Sequence, residues 1–348
     1  MTALAGRLLG DAWTALDGPP DLLDRVQLRG PERPLPSRLA VSALAQATAA
    51  AAGLAAAELT ATRGAPPPGV RIDSRAAAVA FRSERHLRLG GEPQVDWDPL
   101  SRFLPALDGW VRLHGNYPHH RARLLAALGI PEDAPDLPAR VAEAVAGRPA
   151  SEVEEAIFAR SGVAAAVRSP SEWAAHPQGA AIAGLPLLSL RRVAEAPLRP
   201  LPPAPDRPLL PAAGLRVLDL TRVLAGPVCC RTLALLGADV LRVDGPRLPE
   251  IAGHHLDTGF GKRSTLLDLA DPGDRATFER LLAGADVAVT GYRPGALDGL
   301  GLSPEALIER RPGLVVGTLS AWGRTGPWAD RRGFDSLVQA ASGIAQVE

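Results

Sequence analysis

The sequence has little cysteine: two residues, adjacent at Cys229 and Cys230. Two neighbouring thiols exclude a disulfide framework and point to a reducing compartment. They also lack the spacing of a metal knuckle, so both read as small buried side chains. Net charge is missing too. Lys plus Arg and Asp plus Glu number 38 each, so no overall field recruits nucleic acid or an anionic membrane. Long apolar runs are absent. Residues 1–16 contain Arg7, Asp11 and Trp13 without a solid apolar core, so no secretory signal is expected. The run 39–59 is mostly alanine, with Ser42, Gln46, Thr48 and Glu58 inside it. Alanine favours helix but supplies little drive into lipid. The run reads as a buried helix of a soluble, cytoplasmic protein. His119-His120 and His254-His255 are adjacent pairs with no carboxylate at ligand spacing; no metal site is expected, and both read as surface loops.

What is present centres on residues 214–244, GLRVLDLTRVLAGPVCCRTLALLGADVLRVD. Val217, Leu218 and Leu220 form a short apolar run, as in a buried strand. A turn follows at 224–227, then a helix carrying Leu233, Leu235 and Leu236. Gly237 stands where that helix should end, since glycine enters the left-handed region most cheaply. Val240, Leu241 and Val243 mark a second strand. Strand, turn, helix, glycine and strand make a βαβ unit, which binds nucleotide-like ligands at the carboxyl ends of its strands. The turn is neither GxGxxG nor a Walker loop.

Upstream, residues 3–16 predict a helix broken by Gly18-Pro19-Pro20, and 39–60 the alanine helix. A strand is expected at 70–72, with Asp73 capping a helix over 75–82. Asp108-Gly109 reads as a turn into a strand. Residues 121–129 read as a helix ending on Gly129, and 137–146 and 151–159 as amphipathic helices. Ser151 with Glu154 has the pattern of a capping box. A strand is expected within 162–167, and a helix from 171 that closes at His176-Pro177-Gln178. Residues 197–213, PLRPLPPAPDRPLLPAA, have the composition of an extended linker.

Five blocks now carry a resemblance. VLDLTRVLAGP (217–227) with LGADVLRV (236–243), GKRS (261–264) with LDL (267–269), RPGAL (293–297) with GLG (299–301), SAWGRTGP (320–327) and GFDSLVQ (333–339) stand in one order. Together they resemble the opening of a family III CoA-transferase, of the formyl-CoA transferase, carnitine CoA-transferase and alpha-methylacyl-CoA racemase superfamily. More weakly, DGWV (108–111), AVAGRPASEVEEAIFARSGVAAAV (144–167) and HPQ (176–178) resemble the second half of the same family. The expected fold is therefore α/β. It has a Rossmann-like parallel-sheet CoA-binding part over 214–348 and an α+β segment resembling a second half over 35–196. An extension, 1–34, precedes them, and the linker 197–213 joins them. Either the chain is a circularly permuted transferase, or a degenerate copy precedes the beginning of an ordinary one.

The resemblance implies a CoA-transferase moving CoA between an acyl-CoA and a carboxylic acid, with both as substrates and no tightly bound cofactor. It implies a homodimer and an aspartate that attacks the thioester to form a mixed anhydride. That aspartate is expected some tens of residues beyond GFDSLVQ. In the second-half-like segment its place falls near Val41-Ser42, where no Asp or Glu stands. No catalytic residue is assigned, and the alternative is a non-catalytic or truncated CoA-binding relative acting with a partner. For CoA itself, the resemblance points to Val223, Leu224, Ala225 and Gly226 along the ligand and to Lys262 and Arg263 on phosphate oxygens. It adds Tyr292 under the adenine, with Arg293, Pro294 and Gly295 in the turn behind it. Two departures weaken that site. Thr290-Gly291-Tyr292 stands where the family reads Glu-Asn-Phe, and Gly245-Pro246 displaces a basic residue. Phe334 in the GFD block takes the place of the histidine a racemase would need. Trp322 and Trp328 are expected to wall a pocket or an interface, and Asp335 to cap or hydrogen-bond rather than react.

Overall fold

The computed structural model describes residues 3–94, 97–197, 201, 210–248 and 250–348. They fall into two compact units. One comprises Met1–Gln94, Pro186–Gly291 and Leu297–Thr318, the other Val95–Leu185, Tyr292–Ala296 and Leu319–Glu348.

The first unit opens with α1 (Ala3–Ala15), whose Ala5, Leu9 and Trp13 recur every four residues on one buried stripe. The stripe packs on α2 (Val41–Thr62), with Leu28 of β1 (Val26–Arg29) and Val70 of β2 (Val70–Asp73) in the same cluster. β1 and β2 pair in parallel. Alanine on several faces of α2 lets neighbours approach from more than one side, and α3 (Ser74–Phe81) packs there too. Asp73 caps α3 by accepting from the N–H groups of Arg75 and Ala76, as its position predicts. A short α4 (Ser83–His86) and a small hairpin of β3 (Arg88–Leu89) and β4 (Glu92–Pro93) follow.

In the second unit, β5 (Phe103–Pro105) and β6 (Trp110–Leu113) form a hairpin through Asp108-Gly109. Then come α5 (Pro118–Leu128), α6 (Leu137–Ala146), α7 (Ala150–Ala159) and β7 (Ala164–Ala166), which pairs antiparallel with β6. One local expectation fails here. No side chain caps α7, because Glu154 is buried and spends its carboxylate on Arg168 Nη1 at 2.8 Å and Ala166 N at 2.6 Å. His176-Pro177 closes α8 (Pro170–Ala175) as expected, and the His176 Nδ1 then accepts from Gln178 N and opens α9 (Pro177–Ala183).

The chain then returns to the first unit as β8 (Arg216–Leu220), α10 (Ala225–Leu235), β9 (Asp239–Asp244), α11 (Ala252–Gly259), β10 (Lys262–Leu266), α12 (Pro272–Ala283), β11 (Val287–Thr290), α13 (Pro304–Arg310) and β12 (Val315–Thr318). The strands form one parallel sheet in the order β10-β9-β8-β11-β12. Alternate residues of β8 face opposite ways. Leu218 and Leu220 join Phe278 of α12 and Leu307 of α13, while Val217 joins Cys230 of α10 and Val240. Both faces are covered, which is why these strands read as continuous apolar runs. Gly237 takes φ +99 after α10, as its sequence position predicts. Of the proline-rich 197–213, residues 198–200 and 202–209 lie outside the described residues. Ala212 at its end is buried and donates to Leu236 O at 2.9 Å. The last elements, α14 (Asp335–Ala341) and α15 (Ile344–Val347), belong to the second unit. Among the described residues, no helix is long and apolar enough to cross a membrane.

Candidate functional site

Strand order reverses between β8 and β11, and ligands of open parallel sheets sit outside the carboxyl ends of the strands at such a reversal. The chain leaving β8 there is Thr221, Arg222, Val223 and Leu224. Val223 has φ +70, a left-handed conformation that is costly for a β-branched residue. It is held by a single carboxylate. Glu250 Oε2 accepts from Val223 N at 3.1 Å and from Arg242 Nη2 at 2.9 Å, with Arg222 Nε at 3.6 Å. Arg242 is itself buried on β9 and also bonds Asp244.

Beneath the turn lies a buried ion pair. Lys262, the chain's single lysine, donates from Nζ to Asp219 Oδ2 at 2.7 Å and to Pro227 O at 2.8 Å. The other Asp219 oxygen accepts from Thr221 N at 3.0 Å and Thr221 Oγ at 2.5 Å. β10, β8 and the first turn of α10 are thereby tied at one point. Gly226 completes the junction: a Cβ there would lie 2.5 Å from Thr221 Cβ. No side chain caps α10 at its N-terminus. The geometry is a rigid strand-to-helix turn with a helix dipole end behind it, a form suited to an anionic ligand.

Four of the sequence-predicted residues, Val223, Leu224, Ala225 and Gly226, meet at this turn. Lys262 lies under it with its ammonium already engaged. Arg263 points away and pairs on the surface with Asp239 at 2.5 Å. Tyr292, Arg293, Pro294 and Gly295 follow β11 in the second unit. Sequence reasoning missed Asp219, Arg242 and Glu250, because their partners lie at other points of the chain. Cys230 is buried as expected, whereas Cys229 is exposed, because successive helical positions face different ways; partial burial, then Asp219, pushes both thiols up.

In the second unit, Phe334 of the GFD block stacks on His114 at 4.0 Å between ring centres and on Tyr117 at 5.9 Å. The histidine pairs are not loops on the surface. His120 is buried on α5 and His254 on α11, so each pair puts one ring into the interior. His120 is pushed down to about 2, by burial first and then by His119, His114, Arg332 and Arg123. Trp322 and Trp328 are buried in a core with Ala340 and Ala341, their rings edge to face at 4.8 Å. Asp335 starts α14, exposed, and accepts from Gln339 Nε2 at 3.2 Å. Among the described residues, no group of His, Cys, Asp or Glu is arranged to hold a metal.

Residues 212–348 match CoA-transferase family III. An acyl-CoA transferase of Gibberella moniliformis is 31% identical over 252 residues, covering 68% of this chain and 44% of that one. The acetyl-CoA:oxalate CoA-transferase of Acetobacter aceti is 39% identical over 145 residues, 38% of this chain and 37% of that one. Human succinyl-CoA:glutarate CoA-transferase is 34% identical over 149 residues, 39% of this chain and 34% of that one. The chain spans less than half the length of each of these curated relatives.

Proposed function

We propose that the chain, whose residues 212–348 match CoA-transferase family III, binds CoA thioesters at the β8–α10 turn, as part of moving CoA between an acyl-CoA and a carboxylic acid. The observation that carries this reading is Val223. A left-handed valine held by a buried carboxylate is strain kept at one place, and such strain gathers at ligand sites. The uncapped helix behind it would face the pyrophosphate. Lys262 then serves by holding the turn against Asp219. Relatives named for acyl-CoA, oxalate and glutarate support an acid acceptor. The 252 residues aligned with the fungal relative exceed what 212–348 contains, which supports a second-half role for part of the N-terminal segment. We further propose a cytoplasmic homodimer with no tightly bound cofactor; light scattering at the mass of one chain would remove the dimer.

One observation favours the non-catalytic alternative. The two buried carboxylates at the turn are both engaged, Asp219 by Lys262 and Thr221 and Glu250 by Val223 N and Arg242, so neither is free to attack. Binding and chemistry are therefore tested apart. Calorimetry with CoA and acetyl-CoA should show saturable binding by the wild-type chain. Gly226→Ala should weaken it at least about tenfold by pushing α10 off Thr221. Absence of binding at millimolar ligand sinks the reading. Thioester exchange by the purified chain alone would overturn the non-catalytic alternative.

A further inference from the structure

At the amino ends of the strands, about 13 Å along β8 from the turn that follows it, arginines rim a cleft. Residues two apart on a strand share a face. Arg216 heads β8 two places before Leu218, and Asp239 heads β9 two places before Leu241. Arg263 of β10 is the register partner of Leu241. All five therefore lie on the face that α12 covers, where Leu218 and Leu241 pack with Leu281. The last turn of α12 walls the other side with Arg280, Leu281 and Gly284, leaving a cleft of about 220 Å³.

The charges of this cleft do not balance. Arg263 and Asp239 form a fork at 2.5 and 2.6 Å and cancel. Among the described residues, Arg280 donates to Thr277 Oγ alone, at 3.0 Å, while Glu279 beside it is taken by Arg275 and Arg310. The Arg216 guanidinium has no hydrogen bond or ion pair among them. Asp286 accepts from the Arg216 main-chain N–H at 2.9 Å and faces Arg311 at 4.0 Å. The carboxyl end of α12 sets about half a negative charge against two guanidiniums. Gly284 shows where Arg216 lies. Its φ of −95° is right-handed, so the backbone does not call for glycine. A Cβ there would stand 3.1 Å from Arg216 Nη1. The absent side chain leaves room for the guanidinium beside the apolar floor.

We propose that this cleft is a second small-molecule site, for a short-chain organic acid. Its carboxylate joins Arg216 and Arg280, and its apolar tail lies on Leu218, Leu241 and Leu281. A guanidinium fork matches the two oxygens of a carboxylate, and a tail laid on the floor leaves water. The cleft holds roughly seven water volumes and lies below the range of pockets that enclose drug-sized ligands, so a nucleotide does not fit. The site stands apart from the CoA reading, because the β8–α10 turn is at the other end of the strands.

The test titrates the full chain with butyrate and hexanoate by calorimetry, beside hexanol, inorganic phosphate and CoA. Saturable binding of both acids is expected, tighter for hexanoate. Hexanol has the tail without the charge and phosphate the charge without the tail, so each should bind at least about tenfold more weakly. Arg216→Gln should weaken hexanoate at least about tenfold. Gly284→Ala should also weaken it, by displacing the guanidinium, yet melt no lower than wild type, because alanine suits that backbone. Should Gly284→Ala melt lower, Arg216→Gln decides, since it alters an exposed side chain. Millimolar CoA should leave hexanoate bound. No saturable binding of either acid overturns the proposal, as does hexanoate binding unchanged in Arg216→Gln. Hexanol or phosphate binding as tightly as hexanoate overturns it too. Displacement of hexanoate by CoA would place the acid at the other end of the sheet and have the same result.

Discussion

At the residue scale, His120 shows how a side chain's neighbours set its chemistry. Its ring is buried against Phe334, with centres 5.6 Å apart, and lies near the positive charges of Arg332 and Arg123. Burial disfavours the imidazolium most, and the cations add to it, so the group falls from 6.5 to about 2. The unfolded chain takes up a proton near 6.5 while the folded chain refuses it until about 2. Folding is therefore unaffected by this group above about 6.5 and loses stability as pH falls between the two values. One proton corresponds to a slope of about 1.4 kcal/mol per pH unit. Denaturant midpoints from pH 7 to 4 should fall with that slope added, and His120→Asn should flatten it by about one proton. An equal slope in the variant would show that another group titrates.

At the element scale, much of the β8–α10–β9 unit was legible in the sequence. Its apolar strands are short, its helix ends on Gly237, and local pattern decides both. Helix starts fixed by neighbouring residues were legible too, as with Asp73. What failed was the use of side chains whose partners are distant. Glu154 reads as half of a capping box but answers Arg168, 14 residues on. Lys262 reads as a phosphate ligand but answers Asp219, 43 residues back. Neighbouring Lys262 and Arg263 alternate across β10, so one is buried and one exposed, and that difference is measurable. Lys262→Ala leaves Asp219 charged and unpaired in the sheet, which should cost about 3–5 kcal/mol. Arg263→Ala removes a surface pair and should cost less than about 1 kcal/mol. Urea denaturation of the two variants checks this. Equal losses would mean that Lys262 is as solvated as its neighbour.

At the scale of the whole molecule, segments far apart in sequence share each unit. Residues 35–94 and 95–185 go to different units, and 214–291 and 319–348 divide in the same way. Within the first unit, Ser83 donates to Asp257 Oδ2 at 2.7 Å, and Arg231 reaches both, so α4 is tied to α10 and α11. Leu59 of α2 packs on the cluster around Val217. Within the second unit, Gln178 Nε2 donates to the carbonyls of Trp322 and Thr325, at 2.8 and 2.9 Å, and its oxygen accepts from Trp328 N at 2.7 Å. Gln178 is fully buried, so severing these bonds would strand polar groups on both sides. Arg168 N adds a bond to Ala340 O, and Ala165 packs with Leu337. No periodicity in the sequence reports such pairings, because those of Ser83, Leu59, Gln178, Arg168 and Ala165 each join residues more than a hundred positions apart. They do predict the outcome of division. Residues 1–200 and 201–348, co-expressed as two polypeptides with a tag on one, should copurify in equal amounts, since each piece lacks part of both cores. If 201–348 instead elutes alone as a soluble monomer, with a cooperative melt and no partner, the two segments fold independently and the shared cores contribute little to stability.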